Sequence, residues 1–95
     1  MARFLTTLRF TEQGLRAVAA SPQRAEHFRQ QVEAAGGKVL LQTWALGAFD
    51  GVVAFEVKDD AEAAKLLLGL SKGGFVRTDT TRLFDAHEFA TIAGS

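Results

Sequence analysis

The chain has no cysteine among its 95 residues. Disulfides, thiolate metal sites and cysteine nucleophiles are therefore excluded. It also has no excess of charge of one sign, because 11 Lys and Arg offset 11 Asp and Glu. A zero net charge argues against a dedicated nucleic-acid binder, which depends on neutralising phosphates, and against electrostatic docking on an anionic membrane. We therefore predict neither a nucleic-acid partner nor a membrane partner.

Long apolar runs are missing as well. No run approaches the roughly 20 residues that a membrane helix needs, and the first residues, Met-Ala-Arg-Phe, do not form a signal-peptide core. The composition is an ordinary globular mixture, with 47% hydrophobic and 23% charged residues. We therefore expect a cytoplasmic protein with a single domain over residues 1–95.

Four segments are predicted to be β-strands. They cover residues 3–10, 38–46, 51–57 and 76–84. The first of them has the strand period of two, because Phe4, Thr6, Leu8 and Phe10 alternate with Arg3, Leu5, Thr7 and Arg9. The second and third strands are separated only by Gly47-Ala48-Phe49-Asp50. A short link that contains Gly and Asp between two strands is typical of a β-hairpin.

Helices are predicted between these strands because capping signals precede them. A residue with an acceptor side chain, or a Pro at the first helical position, satisfies or avoids the free amides of a helix start. A pair of glycines ends a helix readily because glycine adopts the left-handed cap conformation. The starts are marked by Thr11, Ser21-Pro22, Asp59 with Glu62, and Asp85 with Glu88, and the two longer helices end at Gly36-Gly37 and near Gly73-Gly74.

The resulting order of the main elements is β, α, β, β, α, β, which is that of the ferredoxin-like split βαβ arrangement. We therefore predict an α+β fold with one four-stranded antiparallel sheet. Right-handed crossovers place both main helices on one face of this sheet.

The helix-free face of the sheet is predicted to be too apolar for a monomer in water. Alternation assigns one set to the helices (Val39, Leu41, Thr43, Ala45, Gly51, Val53, Phe55, Val57) and the other to the free face (Leu40, Gln42, Trp44, Leu46, Val52, Ala54, Glu56). Large apolar patches usually mark a partner or a ligand groove. We therefore predict a homodimer through this face, with a cleft between sheet and helices in each subunit. The alternative is a monomer with a partly apolar surface.

Three segments, residues 11–25, 44–53 and 76–84, resemble the GYD domain family. The second segment carries Gly47-Ala48-Phe49-Asp50 where that family has a Gly-x-Tyr-Asp turn. Phe49 replaces the tyrosine, so a role for a phenol hydroxyl is removed. The resemblance implies a dimeric α/β-barrel fold, which is shared by small-molecule isomerases, monooxygenases and haem-handling enzymes. Fold alone does not fix the chemistry.

A ligand site is predicted around the hairpin and the last strand. Trp44 would stack on a flat ligand, and an arginine of the last strand would bind a carboxylate. The structural alternatives are interface packing for Trp44, turn geometry for Asp50, and a surface ion pair for Arg77. The predicted ligand-binding residues are Trp44, Phe49, Asp50, Arg77 and Thr78.

His27 and Asp50 are the weak candidates for an acid–base group. The alternative for His27 is an exposed helix residue, because no Ser or Asp accompanies it at a fixed spacing. His87 fits a capping segment better than a metal site. Either histidine could be the single axial ligand of a haem, but we predict no metal and no cofactor.

Three functions follow from these features. The first is a homodimer with a small-molecule pocket between sheet and helices and no known reaction. The second is a small-molecule enzyme of the isomerase or monooxygenase type, and the third is a non-catalytic assembly or interaction protein.

Overall fold

A computed structural model of the protein describes residues 1–94. Its strands and helices follow the predicted order, and a 3-10 turn at Val18–Ala20 leads from α1 into α2. The strands are β1 (Ala2–Phe10), β2 (Lys38–Trp44), β3 (Gly51–Val57) and β4 (Val76–Leu83), and the helices are α1 (Glu12–Arg16), α2 (Ser21–Ala34), α3 (Asp60–Lys72) and α4 (Ala86–Ala93).

The four strands form one sheet in the order β2-β3-β1-β4, with every neighbouring pair antiparallel. The prediction of an α+β fold with a four-stranded antiparallel sheet is confirmed. The two central strands, β1 and β3, alternate buried and half-buried residues along most of their length. This period of two shows that one sheet face is packed and that the other is more open.

The core lies between the sheet and helices α2 and α3. Phe55 of β3 is fully buried, stacks on Phe4 of β1, and meets the edge of Phe28 from α2, with both ring pairs at 5.5 Å. Val32 of α2 and Leu66 of α3 belong to the same cluster. Both helices therefore cover the same face of the sheet, and the burial of these aromatic rings dominates the packing energy.

A β-bulge between Val39 and Leu41 corrects one prediction about β2. The register places Leu41 opposite Ala54, Gln42 opposite Val53, and Thr43 opposite Val52. Directly paired residues share a face. Because the bulge adds one residue to β2, the remaining side chains change sides.

The assignment of the two faces was therefore wrong along most of β2 and right along β3. Gln42 and Trp44 lie on the helix side, whereas Leu41 and Thr43 lie on the helix-free face. The run Val39-Leu40-Leu41 is apolar throughout, so the alternation could not reveal the extra residue.

The predicted caps hold at three helices and fail at one. Thr11, Asp59 and Asp85 each accept a hydrogen bond from the backbone amide three residues later. Ser21 was expected to cap α2, but its backbone is already helical and its side chain does not cap the helix. The 3-10 turn runs directly into α2, so Ser21 is the first helical residue and its hydroxyl is turned towards β2.

Helix α4 buries none of its residues. Phe89 is 56% exposed and Ile92 is 51% exposed. The described chain has a radius of gyration of 14.1 Å, against about 12 Å for a compact domain of this length. The first turn of this C-terminal helix is held by the capping box of Asp85 and Glu88 and by two ion pairs, Arg3 with Asp85 and Arg82 with Glu88.

Candidate functional site

A cavity of about 60 Å³ opens between the helix-covered face of the sheet and α2. Most of its wall is apolar, with contributions from all four strands, from helices α2 and α3, and from the β2–β3 loop. Its lining includes Leu8, Phe10, Ser21, Ala25, Phe28, Gln42, Trp44, Asp50, Val53, Leu70 and Val76. A small apolar cavity with a few convergent polar groups is the usual form of a ligand site.

The bulge in β2 brings two polar side chains to this cavity. The indole Nε1 of Trp44 donates to Ser21 Oγ at 2.9 Å, and Gln42 Nε2 donates to the Ala25 carbonyl at 2.9 Å. Both bonds join β2 to the first turns of α2, and they leave the Ser21 hydroxyl proton and the Gln42 carbonyl oxygen available. Trp44 is nonetheless 50% exposed, so it forms a wall at the mouth of the cavity.

Asp50 joins the β2–β3 loop to the end of β1. Its Oδ2 accepts from the Phe10 amide at 2.9 Å, and its own amide donates to the Leu8 carbonyl at 2.8 Å. The loop is closed by a bond from the Ala45 amide to the Asp50 carbonyl at 2.9 Å. Asp50 therefore has a structural role, but its carboxylate bonds to β1 rather than to the amides of its own turn, which was the alternative that the sequence offered. It also lines the cavity.

The other predicted site residues are spread over the fold. Phe49 is half-buried in the loop and is not part of the cavity lining. Arg77 is exposed and pairs in register with Arg9 on the helix-free face. Thr78 lies opposite Leu8 on the helix side, with its hydroxyl 3.5 Å from Ser71, but outside the lining.

His27 is exposed on α2 and does not line the cavity either. The structure thus brings together Trp44 and Asp50 and separates them from His27, Phe49, Arg77 and Thr78.

Asp50 is the only titratable side chain in the lining. Among residues 1–94 it takes part in no ion pair within 4 Å. No group of three His, Asp or Glu side chains in the described part of the chain is placed to hold a metal ion. The cavity therefore carries one negative charge and no compensating cationic side chain.

Sequence reasoning missed the contributions of α2 and β1 to this site. Ser21 was interpreted as a cap, and Phe10 and Phe28 were assigned only to secondary structure. The strand period places Phe10 on the same face as Leu8, which was a usable signal. Nothing in the sequence indicated that Trp44 would face Ser21, because that contact depends on the bulge.

The fold and the cavity define a small α+β protein with one helix-covered sheet and an apolar cleft beneath it. The chain belongs to the GYD domain family, whose sequence pattern it matches over residues 4–93. The resemblance that the three sequence segments indicated is thereby confirmed.

Two comparisons add detail. The chain is 31% identical over 81 residues to the glutamine synthetase and cystathionine beta-lyase binding protein of Thermus thermophilus, which covers 84% of this chain and 85% of that protein. The crystal structure of MtbAldR matches with a TM-score of 0.60 and 15% identity over 90% of this chain. This chain spans 55% of that structure, and at this identity the likeness concerns the fold alone.

Within residues 1–94, none of the helices has both the length and the apolar character needed to cross a bilayer.

Proposed function

We propose that this protein is a homodimeric, non-catalytic binding protein whose partner is a metabolic enzyme of the kind that its Thermus relative is named for. The observation that carries the proposal is the 31% identity over most of both chains to a protein named for binding glutamine synthetase and cystathionine beta-lyase. The proposal includes a single GYD domain and a cytoplasmic location.

The edge strand β2 supports the proposal because it offers a surface for such a partner. Leu40, Trp44 and Leu46, which we call the β2 rim, are 45%, 50% and 104% exposed. Residues 45–49 at the hairpin tip carry no charge. Exposed aromatic and aliphatic groups at a sheet edge provide the anchors that protein interfaces use. We therefore assign the enzyme contact to the β2 rim.

The test is direct binding to purified glutamine synthetase and cystathionine beta-lyase from the same organism as this chain. We expect binding to at least one of them at about 10 μM or below, which is the range of transient interfaces. Leu46→Asp should weaken it by at least about tenfold, because a charge replaces an interface anchor. Leu68→Asp on α3, where the leucine is 64% exposed, is the matched control.

Absence of binding to both enzymes would refute the enzyme partner. Equal loss with Leu46→Asp and Leu68→Asp would refute the β2 rim as the contact.

The homodimer is proposed through the helix-free sheet face. Leu5, Ala54 and Leu41 form one row across three strands of this face, and Val52 lies in the next row. Charged residues border these rows: the Arg3–Glu56 ion pair at 3.3 Å lies in the row beyond Leu5, and Asp79 of the edge strand β4 ends the row of Val52. A second copy buries an apolar middle of this kind because a two-fold axis brings the same patch onto itself.

Sedimentation of Leu5→Glu tests the dimer, because the variant places two like charges in the centre of the two-fold interface. We expect the wild-type chain and Leu68→Glu to sediment as dimers and Leu5→Glu as a monomer with an unchanged circular dichroism spectrum. A monomeric wild-type chain at micromolar concentration would refute this part of the proposal.

A second candidate function is small-molecule binding in the cleft. The specific observation in its favour is that the bulge turns Trp44 and Gln42 into an apolar cavity beside Asp50. We propose no catalytic step, since His27 lies outside this cavity and the Asp50 carboxylate is bonded to the Phe10 amide.

A further inference from the structure

We propose that the cleft binds a small alkylammonium ion, with the ammonium group beside Asp50 and the alkyl chain in the apolar cavity. The inference rests on the second proposed function, that the cleft takes a small molecule. It does not rest on the enzyme partner, although Trp44 belongs both to the cavity wall and to the β2 rim.

The cavity has a single charged side chain in its lining. Asp50 brings the only formal charge to the lining and has no cationic partner among the described residues. A carboxylate at the wall of an apolar cavity favours a cationic ligand, since the charge is screened there less than in open water. No Lys, Arg or His lines the cavity, so a ligand carboxylate would have no cationic partner.

The polar side chains of Gln42 and Asp50 offer the cavity hydrogen-bond acceptors. Gln42 uses its Nε2 on the Ala25 carbonyl, which leaves its carbonyl oxygen as an acceptor. The Asp50 carboxylate has two oxygens, of which Oδ2 serves the Phe10 amide. The cavity is therefore rich in acceptors, and an ammonium group, with three donors and no acceptor, fits it.

Part of the cavity wall is aromatic. Trp44, Phe10 and Phe28 all line the same cavity. Aromatic faces attract ammonium ions through their quadrupole, and tryptophan does so most strongly. Three aromatic rings and one carboxylate therefore line the same cavity, a combination of side chains that suits a cationic ligand.

The volume of the cavity limits the size of the ligand. The cavity of about 60 Å³ corresponds to roughly two waters of liquid volume, whereas a cavity that holds benzene measures about 150 Å³. The enclosed part of the ligand is therefore a short alkyl chain. A flat ring stacked inside the cleft, as the sequence suggested for Trp44, does not fit this volume.

Three probes with the same two-carbon skeleton, short enough for a cavity of this volume, test the proposal: ethylammonium, ethanol and acetate. The chain has one tryptophan, so its single indole N–H resonance reports binding at Trp44 in a nitrogen-edited NMR titration. We expect ethylammonium to bind at least about tenfold more tightly than ethanol and acetate not to bind, because charged hydrogen bonds are about twice as strong as neutral ones. Added salt should weaken only the ammonium probe.

Asp50→Asn is the test variant, since the asparagine carbonyl can still accept from the Phe10 amide. Ethylammonium should lose its advantage over ethanol in this variant and keep it in Asp60→Asn, a matched change at an exposed residue of α3 that lies outside the cavity lining and outside the sheet. If Asp50→Asn does not fold, the salt dependence in the wild-type chain decides.

Equal binding of the ammonium and the alcohol, or tighter binding of the carboxylate, would overturn the ammonium assignment and leave the cleft as a small-molecule site. Binding of none of the three probes would overturn the ammonium assignment and count against the cleft as a site of this size. Neither result bears on the enzyme partner, which is measured with purified enzymes.

Discussion

Gly14 of α1 provides the sharpest test of the packing around the start of β4. A Cβ atom at Gly14 would lie 2.0 Å from the Phe75 carbonyl oxygen, more than 1 Å inside ordinary contact. Two hydrogen bonds keep the start of α1 close to residues 74 and 75. The Thr11 amide donates to the Phe75 carbonyl at 3.0 Å, and the Thr11 hydroxyl donates to the Gly74 carbonyl at 2.6 Å. Gly14→Ala must therefore move α1 and stretch both bonds.

The expected cost is about 3 kcal/mol, from overpacking of about 2 kcal/mol together with about 1 kcal/mol of weakened hydrogen bonding. For a domain of this length, 1 kcal/mol corresponds to roughly 4–8 °C in Tm, so Gly14→Ala should melt well over 10 °C lower.

Gly69→Ala on α3 is the matched control. Gly69 is also helical, but nothing lies within 4 Å of the position of its Cβ. Alanine there should raise stability by about 0.5–1 kcal/mol, because glycine loses more backbone entropy on folding. Thermal unfolding of both variants at one protein concentration, followed by circular dichroism, measures the difference. A Gly14→Ala protein as stable as Gly69→Ala would refute the reasoning.

Three further changes have defined outcomes. Phe55→Ala should cost about 3–5 kcal/mol in urea unfolding, because it empties a fully buried ring position; a loss below 1 kcal/mol would contradict the packing. Trp44→Phe should cost about 1 kcal/mol and couple to Ser21→Ala in a double-mutant cycle, since both remove one hydrogen bond; additive losses would contradict that bond. The Glu88 amide and the nearby Arg3 guanidinium lower the pKa of Asp85, so the stabilisation is present above the usual carboxyl pKa and is lost as the pH falls through the lowered pKa. Asp85→Asn should remove this dependence of α4 stability on acid pH. An NMR titration that follows the backbone amides of α4 measures the difference between the two proteins.

Much of the fold could be predicted because its signals are local. Strand β3, from Gly51 to Val57, is rich in Val and Phe as strands are, and the structure buries every second residue of it. The cap at Asp59 and the capping box at Asp85 depend only on residues three positions apart. Such patterns survive folding because the backbone periods of strands and helices are properties of the chain itself.

The candidate site was predictable only in part. Asp50 lines the cavity as expected, and Trp44 does so from the face that was not expected. Arg77, from β4, faces away on the helix-free side. Residues of the hairpin and of β4 can bind one ligand only if their side chains lie on the same face of the sheet. The pairing of strands that are distant in sequence decides which face each side chain takes, and the sequence alone does not show that pairing.

The sequence by itself determined the order of strands and helices, the hairpin and the caps, because each depends on neighbours along the chain. Only the tertiary structure decided which side of the sheet receives Trp44. The apolar run at residues 39–41 places a hydrophobic side chain on either face in any register, so local preference is nearly neutral there. When β2 packs against α2, the Trp44–Ser21 and Gln42–Ala25 hydrogen bonds form only if Trp44 and Gln42 face the helix. The bulged register provides this orientation, and the same register forms the cleft.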